Sequence, residues 1–292
     1  MTPLVELRGI HKRFPGVYAL KGVDFEVLPG EVHALVGENG AGKSTLIKIA
    51  TGVYDLEEGH YRIEGEEVTL SGPRQALDRG IAVVYQELEL VASLSVAENL
   101  FFGRLPHGRG GKVRWGELYA RSEQLLAEVG LQVDPKTKVG YLGVAAQQLV
   151  EIARALSFAA RMIVMDEPTS ALSPREIEKL FALINQLKAR GVGLVYVSHK
   201  LDEIRALEDC ITILRDGTHV STDEAGDLDE REIIRRMVGR QLDGAYPRSQ
   251  RTAGDVALAV DGLTTEHVRD ISLSLRSGEV VGVSGLMGAG RT

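Results

Sequence analysis

Cysteine is nearly absent from this chain: Cys210 is the only one in 292 residues. That excludes a disulfide framework and makes a reducing cytosol the natural setting, with the thiol expected to be buried and inert. Long apolar runs are missing too. No stretch approaches the ~20 residues needed to cross a bilayer, and the N-terminus, MTPLVELRGIHKRF, contains no signal-peptide hydrophobic region. An excess of positive charge is also lacking. With 34 basic residues against 41 acidic ones the net charge is −7, which argues against a nucleic-acid surface as the main business. What remains, 44% hydrophobic and 26% charged, is the composition of an ordinary soluble protein, long enough for more than one domain.

Glycine, by contrast, is plentiful at 33 residues. The stretch from Gly30 to Ala50, GEVHALVGENGAGKSTLIKIA, reads as a buried strand (Val32 to Val36), a glycine-rich turn and a helix opening at Lys43. The turn fits G-x-x-x-x-G-K-[ST] at Gly37, Gly42, Lys43 and Ser44. Gly40 and Gly42 permit positive φ and a close ligand approach. Successive backbone N–H groups can then converge on an anion, helped by the positive end of the helix dipole. Lys43 would reach the β- and γ-phosphates of a nucleoside triphosphate, and the Ser44 hydroxyl would hold Mg²⁺.

Around this loop the residues from 3 to 70 read as short strands at Leu4–Gly9, Val23–Leu28, Val32–Gly37, Tyr61–Ile63 and Val68–Leu70. Another strand, Ile81–Tyr85, is followed by helical spacing at Ser95–Phe102 and Trp115–Val129, with a solvated glycine-rich turn at 107–112 between them. Alternation resumes with a helix from Gln147, strand Met162–Met165, helix 174–190, strand Gly193–Val197 and strand Ile211–Leu214. The helix at 174–190 has Ser173 as cap, Pro174 at its first position, Glu176 to complete a capping box and Gly191 as stop. An acidic stretch at 223–232 is expected to start a solvated helix. Strands alternating with helices predict an α/β fold on a mainly parallel sheet covered on both faces.

Residues 278–292, GEVVGVSGLMGAGRT, align without gaps on residues 30–44, GEVHALVGENGAGKS. Val260–Leu263 and Ile271–Leu275 echo Leu7–Ile10 and Val23–Val27. A second nucleotide-binding unit is therefore expected to begin near residue 254, with the sequence stopping inside its phosphate loop and Arg291 standing where Lys43 stands in the first copy. The expected division is a first unit over 1–240, a linker over 241–253 and the start of a second unit over 254–292.

Further chemistry gathers at strand ends. The strand from Met162 ends in Asp166 and Glu167, and Pro168 prevents a smooth continuation. Carboxylates at the C-terminal end of a strand in a doubly wound sheet sit beside the phosphate loop. Asp166 would belong to the Mg²⁺ shell and Glu167 would polarise the attacking water. His199 follows the strand Gly193–Val197, and a γ-phosphate contact is the favoured reading over a purely structural one. Gln86 ends its strand in the same way.

Together these pieces resemble the ATP-binding cassette (ABC) ATPases over essentially the whole chain. The matches are an aromatic at Phe14, the Walker A loop 37–45, the Q-loop glutamine Gln86, Walker B with Glu167, the D-loop Ser170-Ala171-Leu172 and the switch His199. Closer similarity is to the tandem ATPase subunits of bacterial monosaccharide importers of the ribose, galactose and xylose type. It is carried by FPGVYALKGV (14–23), YQELELVASLSVAENLFFGR (85–104), MVGRQL with YPR (237–248) and GVSGLMGAGRT (282–292).

The resemblance implies a P-loop NTPase fold with an antiparallel β subdomain and an α-helical subdomain at about 87–160. It implies that ATP and Mg²⁺ bind, that Phe14 stacks on adenine, and that Asn39, Gly40, Ala41 and Thr45 join Gly37, Gly42, Lys43 and Ser44 as nucleotide contacts. Gln86 would join Ser44 and Asp166 on the metal. The segment after Gln86 would receive a membrane permease, with an extracytoplasmic solute-binding protein as an indirect partner and a peripheral location on the cytoplasmic face of the membrane.

One departure stands out. The family's signature, L-S-x-G-Q, should precede the helix at 147, but the chain reads Leu142-Gly143-Val144-Ala145-Ala146-Gln147. Gly143 lacks the hydroxyl donor, and Ala145 adds a Cβ where backbone and phosphate should approach closely. In this family each ATP lies between one unit's Walker motifs and the other's signature, so this departure and Arg291 would fall in one composite site. Other readings are a soluble ABC ATPase acting on ribosomes or DNA, an importer ATPase for a nucleoside or other small polar solute, and a regulatory half with little activity.

Overall fold

The computed structural model describes residues 1–239, 254–266 and 268–284, and the chain divides into two compact units, Met1–Arg240 and Gln241–Thr292. The expected linker at 241–253 and the second phosphate loop with Arg291 lie outside the described residues.

The first unit opens with an antiparallel sheet. Its strands are β1 (Val5–Phe14), β2 (Val17–Val27), β4 (Glu58–Ile63) and β5 (Glu66–Glu67), in the order β2-β1-β4-β5. Between them run β3 (Val32–Val36) and α1 (Lys43–Ala50). The expected strand Val68–Leu70 is absent. The pairing with Arg62 and Ile63 is taken by Glu66 and Glu67, across a turn in which Glu64 has φ 54°. Val68 and Leu70 are buried at 7% exposure each; the Val68 amide donates once more to β4, at the Tyr61 carbonyl (2.8 Å), but no strand continues through Leu70.

The second sheet is the parallel one. It contains β6 (Ile81–Val84), β7 (Met162–Asp166), β8 (Gly193–Val197), β9 (Cys210–Arg215) and β10 (Thr218–Glu224), in the order β10-β9-β3-β8-β7-β6. All neighbours run parallel except β10 against β9. Five-residue strands that are buried on both faces are what a sheet covered on each side requires. Alternation then sorts each strand between two cores. Val32, Ala34 and Val36 of β3, with Ile163 and Met165 of β7, face the helical side. Leu35, Met162 and Val164 face the antiparallel sheet and α1.

The helical layer comprises α2 (Pro73–Asp78), α3 (Val96–Leu100), α4 (Trp115–Glu128), α5 (Val144–Leu156), α6 (Pro174–Ala189), α7 (Leu201–Leu207) and α8 (Glu230–Val238). Helix α6 starts as its sequence predicts: the Ser173 amide donates to the Glu176 carboxylate at 2.8 Å, and Leu180, Leu183, Ile184 and Leu187 are buried on one stripe. Helix α5 begins at Val144, not at Gln147. Gly143 serves as its N-cap residue and its carbonyl accepts from the Gln147 amide at 3.0 Å, so Ala145, Ala146 and Gln147, all good helix formers, lie in the first turn. The acidic stretch also differs from expectation. Asp223 and Glu224 close β10, and the helix starts only at Glu230, behind an Asp229 side chain that accepts from the Glu232 amide.

In the second unit, β11 (Val256–Leu263) pairs antiparallel with β12 (Ile271–Arg276). This is the kind of pairing β1 makes with β2 in the first unit.

Candidate functional site

The parallel sheet carries three strands whose C-terminal ends meet the phosphate loop. β3 runs directly into Gly37, and α1 leaves the loop at Lys43. The backbone there is one that only glycine fits. Gly42 has φ 104°, and a Cβ on it would lie 2.7 Å from Leu20 Cδ2 and 2.9 Å from the Ala19 carbonyl. Gly37 has no more room, since a side chain would collide with the Leu214 carbonyl of β9 and with Ala41 Cβ. Lys43 folds back over the loop, its ammonium donating to the carbonyls of Gly37 (2.7 Å) and Glu38 (3.1 Å). Burial pulls the Lys43 pKa down, and the nearby carboxylates of Asp166 and Glu167 only partly oppose it. Glu38, Asn39, Gly40 and Ser44 are exposed, while Ala41 and Thr45 are covered to differing degrees.

Ser44 of α1, Gln86 in the bend after β6 and Asp166 of β7 line one cavity of about 460 Å³ together with Lys48 and Tyr85. A hydroxyl, a carboxamide and a carboxylate form an all-oxygen donor set, the kind that suits a hard divalent cation such as Mg²⁺. Asp166 is half-buried. Burial raises its pKa, Glu167 raises it further, and Lys43 and Lys48 offset part of the rise.

Glu167 continues the β7–β8 pairing one residue past the strand, its amide donating to the Val197 carbonyl at 2.8 Å. Its φ of 46° is unusual for a residue with a side chain and turns the chain sharply. Its Oε1 lies 3.0 Å from Nδ1 of His199, which is 69% exposed at the side chain. Phe14, at the end of β1, packs edge-on against Tyr54 with ring centroids 5.3 Å apart. Lys48, which lines the cavity, has its ammonium 5.3 Å from the same Tyr54 ring.

Residues 142–147 go elsewhere. Gln147 Nε2 donates to the Leu142 carbonyl at 2.8 Å. Ala145 and Ala146 line a different cavity of about 440 Å³, with Leu172 and Glu176 among its walls. That cavity shares no lining residue with the one at Ser44. A Cβ on Gly143 would meet nothing within 4 Å.

Sequence reasoning missed the polar groups that hold these parts in place. Glu203 of α7 is buried, and its carboxylate accepts from the hydroxyls of Thr169 (2.7 Å) and Tyr196 (2.9 Å) and pairs with Lys200 (3.0 Å). Burial pushes the Glu203 pKa up, but these hydrogen bonds outweigh it and leave the group below its ordinary value. The turn after Glu167 is thereby tied to the segment carrying His199. Gln148 of α5 donates to the Pro168 carbonyl. Glu151 of α5, 3% exposed, accepts from the Glu89 amide at 2.7 Å and so anchors the segment after Gln86. The signal was available: Glu203 falls four residues before buried Leu207, and Glu151 lies between buried Val150 and Ile152. Each is a carboxylate on the inward face of its helix, a position that demands partners.

A family model described as "ABC transporter" matches residues 20–170. The chain is 50% identical over 293 residues to Ribose import ATP-binding protein RbsA 1 of Rubrobacter xylanophilus, an alignment covering 100% of this chain and 58% of that protein. It is 46% identical over 290 residues to a putative ribose/galactose/methyl galactoside import ATP-binding protein of Agrobacterium fabrum, covering 99% and 56% respectively. The chain thus spans little more than half the length of these relatives. Among solved structures it is similar to the ADP conformation of an ATP-binding cassette of an ABC transporter, at TM-score 0.68 and 28% identity over 82% of this chain and 96% of that one. It is also similar to a dimeric cassette in a post-hydrolysis state bound to ADP and phosphate, at TM-score 0.64 and 26% identity over 77% and 100%.

Proposed function

The chain belongs to the ABC transporter family, and we propose that it is an ATP-binding and hydrolysing unit that powers import of a monosaccharide through a membrane permease. The observation that carries this reading is the convergence of the Lys43 loop, Asp166 and the Glu167–His199 pair at the carboxyl edge of one parallel sheet. The reading rests further on likeness to proteins named as ribose and galactose import ATP-binding proteins.

In this account the triphosphate rests on the backbone amides of residues 37–45, with Asn39, Gly40, Ala41, Gly42 and Thr45 as close contacts. Lys43 neutralises the β- and γ-phosphates, and Phe14 stacks on the adenine. Ser44, Gln86 and Asp166 would hold Mg²⁺, which supplies charge neutralisation at the phosphate oxygens when bound. Glu167 accepts the proton of the attacking water and orients it in line, and His199 donates to the γ-phosphate. The Glu167–His199 contact links the group that activates water to the group that senses phosphate.

Residues 254–292 begin a second ABC unit, joined by the linker 241–253. Leu142, Gly143, Val144, Ala145, Ala146 and Gln147 are proposed as the signature segment, which in this family completes the nucleotide site of another ABC unit. Gly143 has no hydroxyl to offer a γ-phosphate, and Ala145 crowds the approach, so that site holds nucleotide or turns over slowly. The site on Lys43 and Glu167 does the work. The permease seats beside the segment after Gln86, which Glu151 and Arg154 tie to α5. No helix among the described residues is long and apolar enough to cross a membrane, and the protein works as a peripheral subunit on the cytoplasmic face.

The test is ATP hydrolysis by the two-unit protein reconstituted with its permease in vesicles. Hydrolysis stimulated by a sugar-loaded binding protein supports the proposal. Hydrolysis indifferent to any permease, sugar or nucleoside favours a soluble ABC ATPase instead.

A further inference from the structure

Strand β3 enters the core carrying a histidine among aliphatic neighbours. His33 is 1% exposed, and its ring centroid lies 4.7 Å from that of Phe25. Parallel pairing sets it beside Cys210, the first residue of β9. Glu31, one position before the strand, completes the group. One donor atom from each of Glu31, His33 and Cys210 lies within 4.8 Å of the other two. The cluster sits at the start of β3, at the far end of that strand from the phosphate loop.

Glu31 and His33 each have one atom committed and one left over. The Leu28 amide donates to Glu31 Oε2 at 2.8 Å, leaving Oε1 facing His33 Nδ1, also at 2.8 Å. On the other side of the ring, His33 Nε2 is 2.7 Å from Thr212 Oγ1, and that hydroxyl in turn lies 2.7 Å from Thr222 Oγ1. Among the described residues Nδ1 itself has no hydrogen-bond partner although it is fully buried. The approach to Glu31 is close but does not make a hydrogen bond. Buried nitrogens are rarely left in that state. A nitrogen and a carboxylate oxygen brought to 2.8 Å outside hydrogen-bond geometry, with a thiol alongside, are arranged to share a third body.

We infer that Glu31 Oε1, His33 Nδ1 and Cys210 Sγ form a binding site for one Zn²⁺ ion, with a fourth position left for water. The mixed oxygen, nitrogen and sulfur set suits Zn²⁺, whereas Mg²⁺ and Ca²⁺ take oxygen sets. Thr212 then has the role of orienting the histidine through its other ring nitrogen. Burial, with the Glu31 carboxylate adding to it, pushes the Cys210 thiol up to about 12. Binding of the ion displaces the thiol proton to solvent. The ion would pin the first residues of β3 and β9. These are the strands that deliver Gly37 to the loop and press the Leu214 carbonyl against it.

Co²⁺ serves as the spectroscopic probe. Titrating it into the whole chain is expected to raise a thiolate-to-cobalt charge-transfer band that saturates at one equivalent and is bleached by Zn²⁺. Cys210→Ser should abolish the band and weaken Zn²⁺ at least about ten-fold. Thr212→Val keeps all three ligands and nearly the same volume; it should retain the band while weakening the ion by about 10–100-fold. Both variants should bind Mg-ATP as the parent does, which separates this site from Ser44 and Asp166. A chain that gives no band, or a band and Zn²⁺ affinity that survive Cys210→Ser, would overturn the assignment.

Discussion

Nδ1 of His199 lies 3.0 Å from Oε1 of Glu167, although the two residues follow different strands, 32 positions apart in the chain. The contact follows from the pairing of β7 with β8, which the Glu167 amide extends by its bond to the Val197 carbonyl. A carboxylate held in a left-handed turn beside an exposed imidazole has been positioned at some cost in backbone energy, on the order of 1–3 kcal/mol. Such strain is placed where geometry matters more than stability.

Glu167→Gln keeps the shape of the side chain and an oxygen facing His199 but removes the base. In the protein with both units, steady-state hydrolysis should fall by about 10²–10⁴ while Mg-ATP affinity holds. Unchanged turnover would take the assignment of Glu167 away.

Asp166 has a folded-state pKa raised by burial and then by Glu167. A carboxyl of that kind favours the folded state while protonated, and the contribution is lost as pH rises through the folded value. Asp166→Asn should therefore raise the melting temperature of the nucleotide-free protein at neutral pH. The gap should narrow as pH drops below about 4, where the unfolded carboxyl is also protonated. The same variant should lose the Mg²⁺-dependent part of ATP affinity. A melting temperature lower than the parent's at pH 7 would contradict the account of Asp166 as a strained buried charge.

Thr169→Val removes one hydroxyl from the Glu203 carboxylate and leaves the volume nearly unchanged. A hydrogen bond to a buried charged group contributes about 1.5–3 kcal/mol, so chemical denaturation should register a loss of that size. Because Thr169 ties the turn after Glu167 to the segment bearing His199, hydrolysis should fall as well. An unaltered denaturation midpoint would mean that Glu203 does not depend on this partner.

Gly143→Ser places a side chain in open space at the N-cap of α5. Stability should change by only a few tenths of a kcal/mol, since glycine is already a fair N-cap residue. Together with Ala145→Gly it restores the serine and the glycine of the family's signature, yet on the proposed reading overall turnover should gain little, because the site this segment completes is the one proposed to turn over slowly. A several-fold rise in hydrolysis by the double variant would show that the altered signature limits the rate.

The phosphate loop, its strand and its helix were legible before any coordinates, because glycine spacing, a buried strand and a lysine–serine pair express one local geometry. The strand ends at Asp166, Glu167 and His199 could be read for the same reason: each breaks an apolar run. Element edges were less legible. Val68 and Leu70 are buried beyond the end of β5, with a single bond from Val68 to Tyr61, and a period-two apolar pattern cannot distinguish that burial from a continuing strand. The start of α5 was placed late because Gly143 carries no side chain to mark a cap. Glu203, Gln148 and Glu151 act through partners distant in sequence, Thr169, Pro168 and Glu89, and no local pattern reveals such pairings.

Mg-ATP binding to the 292-residue chain, followed by calorimetry and by thermal melting, tests the central claim most directly. The account predicts saturable binding, with about 2.7 kcal/mol of added stability at a hundred-fold excess over Kd, and loss of both effects in Lys43→Ala. No binding by the parent chain, or binding that Lys43→Ala leaves intact, would contradict it.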